Sequence, residues 1–348
     1  MNSSGTRTAT IDAPVTQVTP VNPVVINEVY YFTVIILNSA LTIFSFTGLV
    51  TNALNMLVFV SQGLTSDSIT VSLFAMSVSD LLSSIFMFPW LVCFFMGRMN
   101  VSLVRNNYCY SMSTMSASLY RVIFTRVTCL IQTYISVERA FCVVFPLRVK
   151  SVIRTRNTVI VNVGMCIVIF MMFTPYLAHA HIEWSHDLMN LTVATLVENS
   201  EDKTVIAINS GLIIPNVAIV VNSLATVVIV HRLSVMQKFR ENLSSSRYSV
   251  QKLKSQGLSS KNVEVSKTVI VITSIYVINL ICNQLQTMLF FTYPEVTQEG
   301  FNKNLYFVLY ISRFVIEALH STTNMFCYLK MSSKFRQVFK DIFIISKK

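Results

Sequence analysis

The sequence predicts an all-α membrane protein: a seven-transmembrane helix bundle followed by a short amphipathic interfacial helix at the C-terminus. Three observations carry this expectation. The 348-residue chain is 53% hydrophobic and 12% charged, with 24 Phe, and its mean hydropathy of +0.59 is too apolar for an ordinary soluble domain. Seven apolar runs fall near 31–60, 69–96, 112–137, 158–180, 206–230, 268–292 and 305–329, each able to cross about 30 Å of hydrocarbon as a helix of roughly 20 residues. Lys and Arg gather in alternate connecting segments, as they do when one side of a membrane retains them.

Residues 1–28, rich in Thr, Val and Pro, lack the basic start, apolar core and cleavage site of a signal peptide. They read as a flexible extracellular tail, and the first span then serves as the membrane-targeting signal. Residues 29–330 form the seven-span domain, and 331–348 the interfacial helix and a short cytoplasmic tail. The segments after spans three, five and seven hold Arg148, Lys150, Arg154 and Arg156, then Arg232, Lys238, Lys252 and Lys254, then Lys330, Lys334, Arg336 and Lys340. The other side holds only Arg7, Arg98, Arg105, Lys203 and Lys303. The amino terminus is therefore expected outside and the carboxyl terminus in the cytoplasm. The formal charge of +11 is mostly a cytoplasmic-face charge suited to membrane lipid, and no nucleic-acid role is assigned to it. Sequons at Asn2, Asn100 and Asn190 fall on the outer side, where glycosylation occurs, whereas Asn242 falls inside. In the last segment Phe335, Val338, Phe339, Ile342 and Phe343 share one helical face, with Lys334, Arg336 and Lys340 around it.

An ionisable side chain at mid-membrane costs ~2.5 to 3.5 kcal/mol on insertion scales, so each needs a partner, a cavity or a function. Those in the spans are Asp80 in MSVSDLL, Arg121 and Arg126 in SLYRVIFTRVTC, Glu138 and Arg139 in YISVERAF, and Arg313, Glu317 and His320 in YISRFVIEALHSTTN. Arg121 and Arg126 are five apart and need not point the same way, and Glu317 can neutralise either. Arg121, Arg126, Arg313 and Glu317 are the candidate ligand-binding residues. If the pair opens, Arg121 presents a fork for a carboxylate; if it is structural, the pocket is nearly neutral.

These residues sit in separated motifs that resemble the rhodopsin-like (class A) G-protein-coupled receptors over about residues 31–343. Asn52 in GLVTNALNMLVF and Asp80 are similar to the family's span-one Asn and span-two Asp. Glu138 and Arg139, with Pro146 seven residues beyond Arg139, resemble its Asp/Glu-Arg-Tyr element. Pro215 looks like the span-five Pro, and STTNMFCYLKMSSKFRQVF resembles the Asn-Pro-x-x-Tyr end of span seven. Within the family the pattern is most similar to invertebrate neuropeptide (FMRFamide-type) and orphan chemosensory receptors. The resemblance implies a G-protein coupling switch at Glu138, Arg139, Asn324 and Tyr328, in which Arg139 leaves Glu138 when the inner ends of the helices part. It also implies a polar network in which Thr128, His320 and Asn324 face Asp80, with Asn52 near. The competing readings are a headgroup anchor for Arg139 and simple interhelical glue for Asp80.

Departures from the family pattern shape the remaining expectations. There is no Cys between Cys166 and Cys282, so the usual bridge from span three to the second outer loop has no partner. Cys93 and Cys109, flanking the first outer loop, are the pair placed to form a disulfide outside. Span six, VITSIYVINLICNQLQTML, has neither Pro nor Trp, so its usual kink loses its cause; Asn279 and Asn283 either loosen it, bond across to span seven, or pack. Met325 stands where the family has Pro. A cation at Arg121 disfavours amine ligands, and span seven has no internal Lys for a retinal Schiff base. The second outer loop, with Glu183, Asp187, Glu198, Glu201 and Asp202, favours a basic or amidated peptide at first encounter. The expected partners are thus an extracellular ligand of peptide type, a heterotrimeric G protein and lipid, at the plasma membrane. No cofactor or metal is expected, and no motif with enzymatic spacing stands out. The alternative function is a seven-helix transporter or channel, which repeated halves or broken helices would favour.

Overall fold

The computed structural model describes residues 27–64, 67–98, 109, 111–113, 115–145, 154–186, 192–197, 199–244, 260–297 and 300–343. Asn2, Asn100, Asn190 and Pro146 lie outside them. Long helices dominate: α1 (Asn27–Ser61), α2 (Ser68–Arg98), α3 (Arg121–Val144), α4 (Thr155–His179), α5 (Ile214–Ser244), α6 (Ser260–Thr292), α7 (Lys303–Met331) and α8 (Ser333–Phe343). A π-helical turn, Ser116–Tyr120, leads into α3, and α5 is reached without a break through helix Ser200–Ile206 and a second π-helical turn, Ala207–Ile213. Between α4 and this lead-in lies an antiparallel hairpin, β1 (His181–His186) and β2 (Thr192–Val197), with His181 opposite Val197 and His186 opposite Thr192.

The helices close into a ring. α1 packs on α2 and α7, α6 on α5 and α7, and α3 lies inside, against α2, α4, α5 and α6. α3 is the most enclosed, 56% buried over its most apolar stretch, and α4 the most peripheral at 22%. Apolar side chains such as Phe32, Ile43, Met171, Leu224, Val227 and Leu285 are exposed around the outside. With backbone groups satisfied inside each helix, such a surface suits hydrocarbon rather than water. Among the described residues, six helices are long and apolar enough to cross a membrane. The sequence predicts seven; α7 is the exception, its apolar run being interrupted by Arg313, Glu317 and His320.

Local chemistry explains where the elements begin and bend. α1 ends where Gly63 takes a positive φ of 85°, a conformation that glycine adopts without a Cβ penalty. Its residues 27 and 28, expected in the N-terminal tail, already belong to the helix. Gly48 permits close approach of α1 to α2 and α7: a Cβ there would stand 3.2 Å from Ser84 Oγ and 3.6 Å from Thr322 Oγ1. Pro215 cannot donate to the Gly211 carbonyl one turn back, and the chain is π-helical over that turn. The side chain of Gln284 on α6 fills the vacancy, donating from Nε2 to Gly211 O at 2.8 Å. Gln284→Leu is therefore expected to lower the Tm of the purified protein by a few degrees, for a loss of about 1 kcal/mol. A Tm equal to wild type would show that the carbonyl needs no donor.

The second outer loop expected from the sequence is shorter than it looked. Ser200–Ile206 is helical, capped by Asn199, whose side chain accepts from Glu201 N at 2.9 Å. Glu201 and Asp202 occupy its first turn, where negative charge meets the positive end of the helix dipole. Asp202 also pairs with His179 at 2.6 Å, tying the end of α4 to the lead-in of α5.

Candidate functional site

Polar side chains form three layers through the ring, from the end that carries the hairpin to the end that carries α8. In the hairpin-end layer, Arg121 Nη2 on α3 meets Glu317 Oε2 on α7 at 2.6 Å, both buried. Arg313, one turn before Glu317, approaches its other oxygen at 3.5 Å and donates from Nη1 to Thr287 Oγ1 on α6 at 3.2 Å. The Arg121 guanidinium also lies 4.4 Å from the centre of the Phe314 ring, a cation–π contact. Glu317 is thus shared by two arginines. Arg126 is buried, 3% exposed, and among the described residues makes no ion pair; Cys129, Tyr276 and Glu317 lie within its electrostatic reach.

The middle layer is centred on Asp80. Thr128 Oγ1 donates to Asp80 Oδ1 at 2.8 Å and Asn324 Nδ2 to Oδ2 at 3.2 Å, so α2, α3 and α7 meet at one carboxylate. Asn52 reaches this layer through Ser321, its Nδ2 lying 2.9 Å from Ser321 Oγ and 2.9 Å from Gly48 O. His320 departs from the expectation. It makes no hydrogen bond to Asp80; its ring packs on Tyr276 of α6, centroids 4.8 Å apart. On α7 the position one residue on, Ser321, points to α1 and α2, whereas His320 is turned by about 100° toward α6. A cavity of about 30 Å³ joins the two layers, touching Asp80, Thr128, Tyr276, His320, Arg121 and Glu317. By volume it accommodates about two waters.

At the α8 end, Arg139 Nη2 bonds Glu138 Oε1 at 3.0 Å, the carboxylate 1% exposed. Ser68, the first residue of α2, donates to the same oxygen. Asn324 and Tyr328 part company here: Asn324 belongs to the Asp80 layer, while Tyr328 is buried against Phe59 and Phe335, and its hydroxyl has no hydrogen-bond partner. Phe335 seats α8 on α1 and α7, and Lys334 pairs with Asp67 at 3.7 Å. Ile342 and Phe343 remain exposed at the far end of that face.

Sequence reasoning missed several partners. Ser68, Thr287 and Ser321 carry no signal beyond being hydroxyls in apolar helices, and only their tertiary neighbours give them roles. Gln132 Nε2 and Ser136 Oγ both reach Thr273 Oγ1 on α6 at 3.0 Å, and Asn222 Nδ2 reaches Thr133 Oγ1 from α5 at 2.9 Å. These bonds pin α5 and α6 to α3 one to two turns before Arg139. Asn279 and Asn283 do not bond to α7; Asn283 Nδ2 donates to Asn279 Oδ1 at 2.8 Å within α6. The α6–α7 bonds come instead from Gln286 to Ser312 and from Arg313 to Thr287.

Cys93 and Cys109 form a disulfide, with Cα atoms 5.4 Å apart, and Cys129, Cys142, Cys166, Cys282 and Cys327 are free thiols. Non-reducing mass mapping is expected to recover one linked peptide pair, containing Cys93 and Cys109. A bridge involving any other cysteine would contradict this arrangement. No protein-family model matches the chain, and no match to a curated protein was found.

Proposed function

We propose that the chain is a seven-helix receptor of the plasma membrane that couples an extracellular ligand, of peptide type, to a heterotrimeric G protein. In this proposal α7 is the seventh span. Its 29 residues would cover about 43 Å as a helix, and Glu317 and His320 are buried and so need no lipid solvation. The basic segments orient the hairpin end outward and the α8 end toward the cytoplasm. α8 then lies along the inner headgroups, its exposed Ile342 and Phe343 entering lipid.

The observation that carries the proposal is the Glu138–Arg139 pair at the base of the central helix. Both side chains are buried, yet they are adjacent on one helix, so the contact opens by side-chain rotation without unfolding α3. Ser68 from α2 holds Glu138 in place, and the bonds from Thr273 and Asn222 close α6 and α5 over α3 one to two turns before Arg139. Displacing those two helices would uncover Arg139 for a partner's carbonyl or carboxylate groups. The Asp80 layer lies on α3 between this base and Arg121, and its cavity reaches Arg121 and Glu317, where a ligand entering from the hairpin end would act.

The test is to express the chain in cells, apply a library of basic and amidated peptides, and read calcium and cyclic AMP. The proposal expects at least one peptide to evoke a response that untransfected cells lack. Ligand-driven solute uptake or current without nucleotide exchange would instead mark a transporter or channel.

A further inference from the structure

The Glu138–Arg139 pair lies within one helix, so it cannot by itself hold α6 in place. Gln132 comes seven residues before Arg139, and a seven-residue step returns a helix to within about 20° of the same face. Gln132 therefore stands two turns from Arg139 on one face of α3, and its Nε2 donates to Thr273 Oγ1 of α6 at 3.0 Å.

Counting protons orders the remaining bonds. Ser136 has one hydroxyl proton and gives it to the Gln132 backbone carbonyl at 3.0 Å. Its contact with Thr273 Oγ1, also 3.0 Å, is then one in which Thr273 donates. The hydroxyls of Thr133, Thr226 and Thr287 donate one turn back within their own helices; that of Thr273 crosses to α3. The bonds close into a ring: Gln132 amide to Thr273, Thr273 to Ser136, Ser136 to the Gln132 carbonyl. In such a ring each bond polarises the next. All three side chains are dry, at most 1% exposed, yet Gln132 Oε1 has no partner. That buried acceptor penalises the closed arrangement, because water would satisfy it on opening, so the ring holds α6 without locking it. Closer to the α8 end, α6 meets α3 and α5 through Ile270, Val143 and Ile229, apolar contacts with no directional requirement.

We propose that Gln132, Ser136 and Thr273 are positioning residues that set the resting place of α6, and that the Thr273 hydroxyl is the link that breaks before Arg139 is uncovered. The proposal rests on the receptor reading for its purpose and deepens it, by naming what regulates access to Arg139. The closed and open arrangements then differ by three short bonds against one unmet acceptor, a balance that a small change in α6 can tip.

The test is double electron–electron resonance on the full chain in lipid nanodiscs, between spin-label amino acids encoded at Arg154 and Lys267, both exposed, toward the α8 end of α4 and α6. Wild type without ligand is expected to give one dominant distance. Thr273→Val, which keeps the shape and removes the hydroxyl, should raise the proportion of a longer distance about tenfold. Thr273→Ser keeps the hydroxyl and should return the wild-type distribution. Gln132→Met should act in the same direction as Thr273→Val, and the two combined should add little to either alone, because both break one ring. Ser136→Ala serves in place of Thr273→Val if that chain does not fold. A Thr273→Val distribution equal to wild type, or a Thr273→Ser chain as open as Thr273→Val, overturns the proposal. No G protein or ligand enters the measurement. A longer distance in a chain that drives no nucleotide exchange keeps the ring and ends the receptor reading; exchange by a chain whose distance ignores these variants does the reverse.

Discussion

Glu317→Ala is expected to be the most damaging single substitution in the core, abolishing surface delivery of an N-terminally tagged chain on intact cells. It removes the one carboxylate that Arg121 and Arg313 share and leaves the buried Arg121 guanidinium without a counter-charge. Breaking a buried pair costs about 3 to 5 kcal/mol, a large part of a typical folding free energy. Arg121→Ala should be milder, because Arg313 still neutralises Glu317. The reversed pair, Arg121→Glu with Glu317→Arg, keeps the contact but sets the new arginine one turn from Arg313, so recovery should be partial. Adding Arg313→Gln to the reversed pair should restore it further. Single variants that reach the surface at wild-type levels would show that water already solvates these charges. A reversed pair no better than Glu317→Ala would show that positions 121 and 317 do not interact in the membrane.

The second large effect is expected at the other end of α3. On the proposed receptor function, Arg139→Ala should reduce G-protein nucleotide exchange to background while leaving surface delivery and ligand binding measurable, since the residue lies far from Arg121 on the same helix. Glu138→Gln should act in the opposite direction. It removes the charge that holds Arg139 at 3.0 Å and leaves the arginine free to meet a partner, raising exchange without ligand.

Much of this arrangement is legible in the sequence because a membrane makes charge conspicuous. In long apolar runs the few ionisable residues stand alone, and the pairing of Arg121 with Glu317 follows from the cost of leaving either unpaired. Asp80, Thr128 and Asn324 come together as the receptor resemblance implies. Helical periodicity gives faces but not neighbours, which is why His320 was expected at Asp80 and instead packs on Tyr276. Periodicity is also silent on which hydroxyl completes a site, so Ser68 and Ser321 were invisible. The hairpin had a local signal in the β-branched run TVATLV, obscured by the acidic residues on either side. Gln284 could not be found from its own segment, because its role is set by a missing donor at Pro215 on another helix.

The most direct test of the central claim is guanine-nucleotide exchange on purified heterotrimeric G proteins, measured with the wild-type chain, Glu138→Gln and Arg139→Ala in identical lipid nanodiscs. The receptor account predicts basal exchange that rises in Glu138→Gln and falls to the protein-free rate in Arg139→Ala. Three chains with the same exchange rate, none above the rate without receptor, across G proteins of every class, would contradict it.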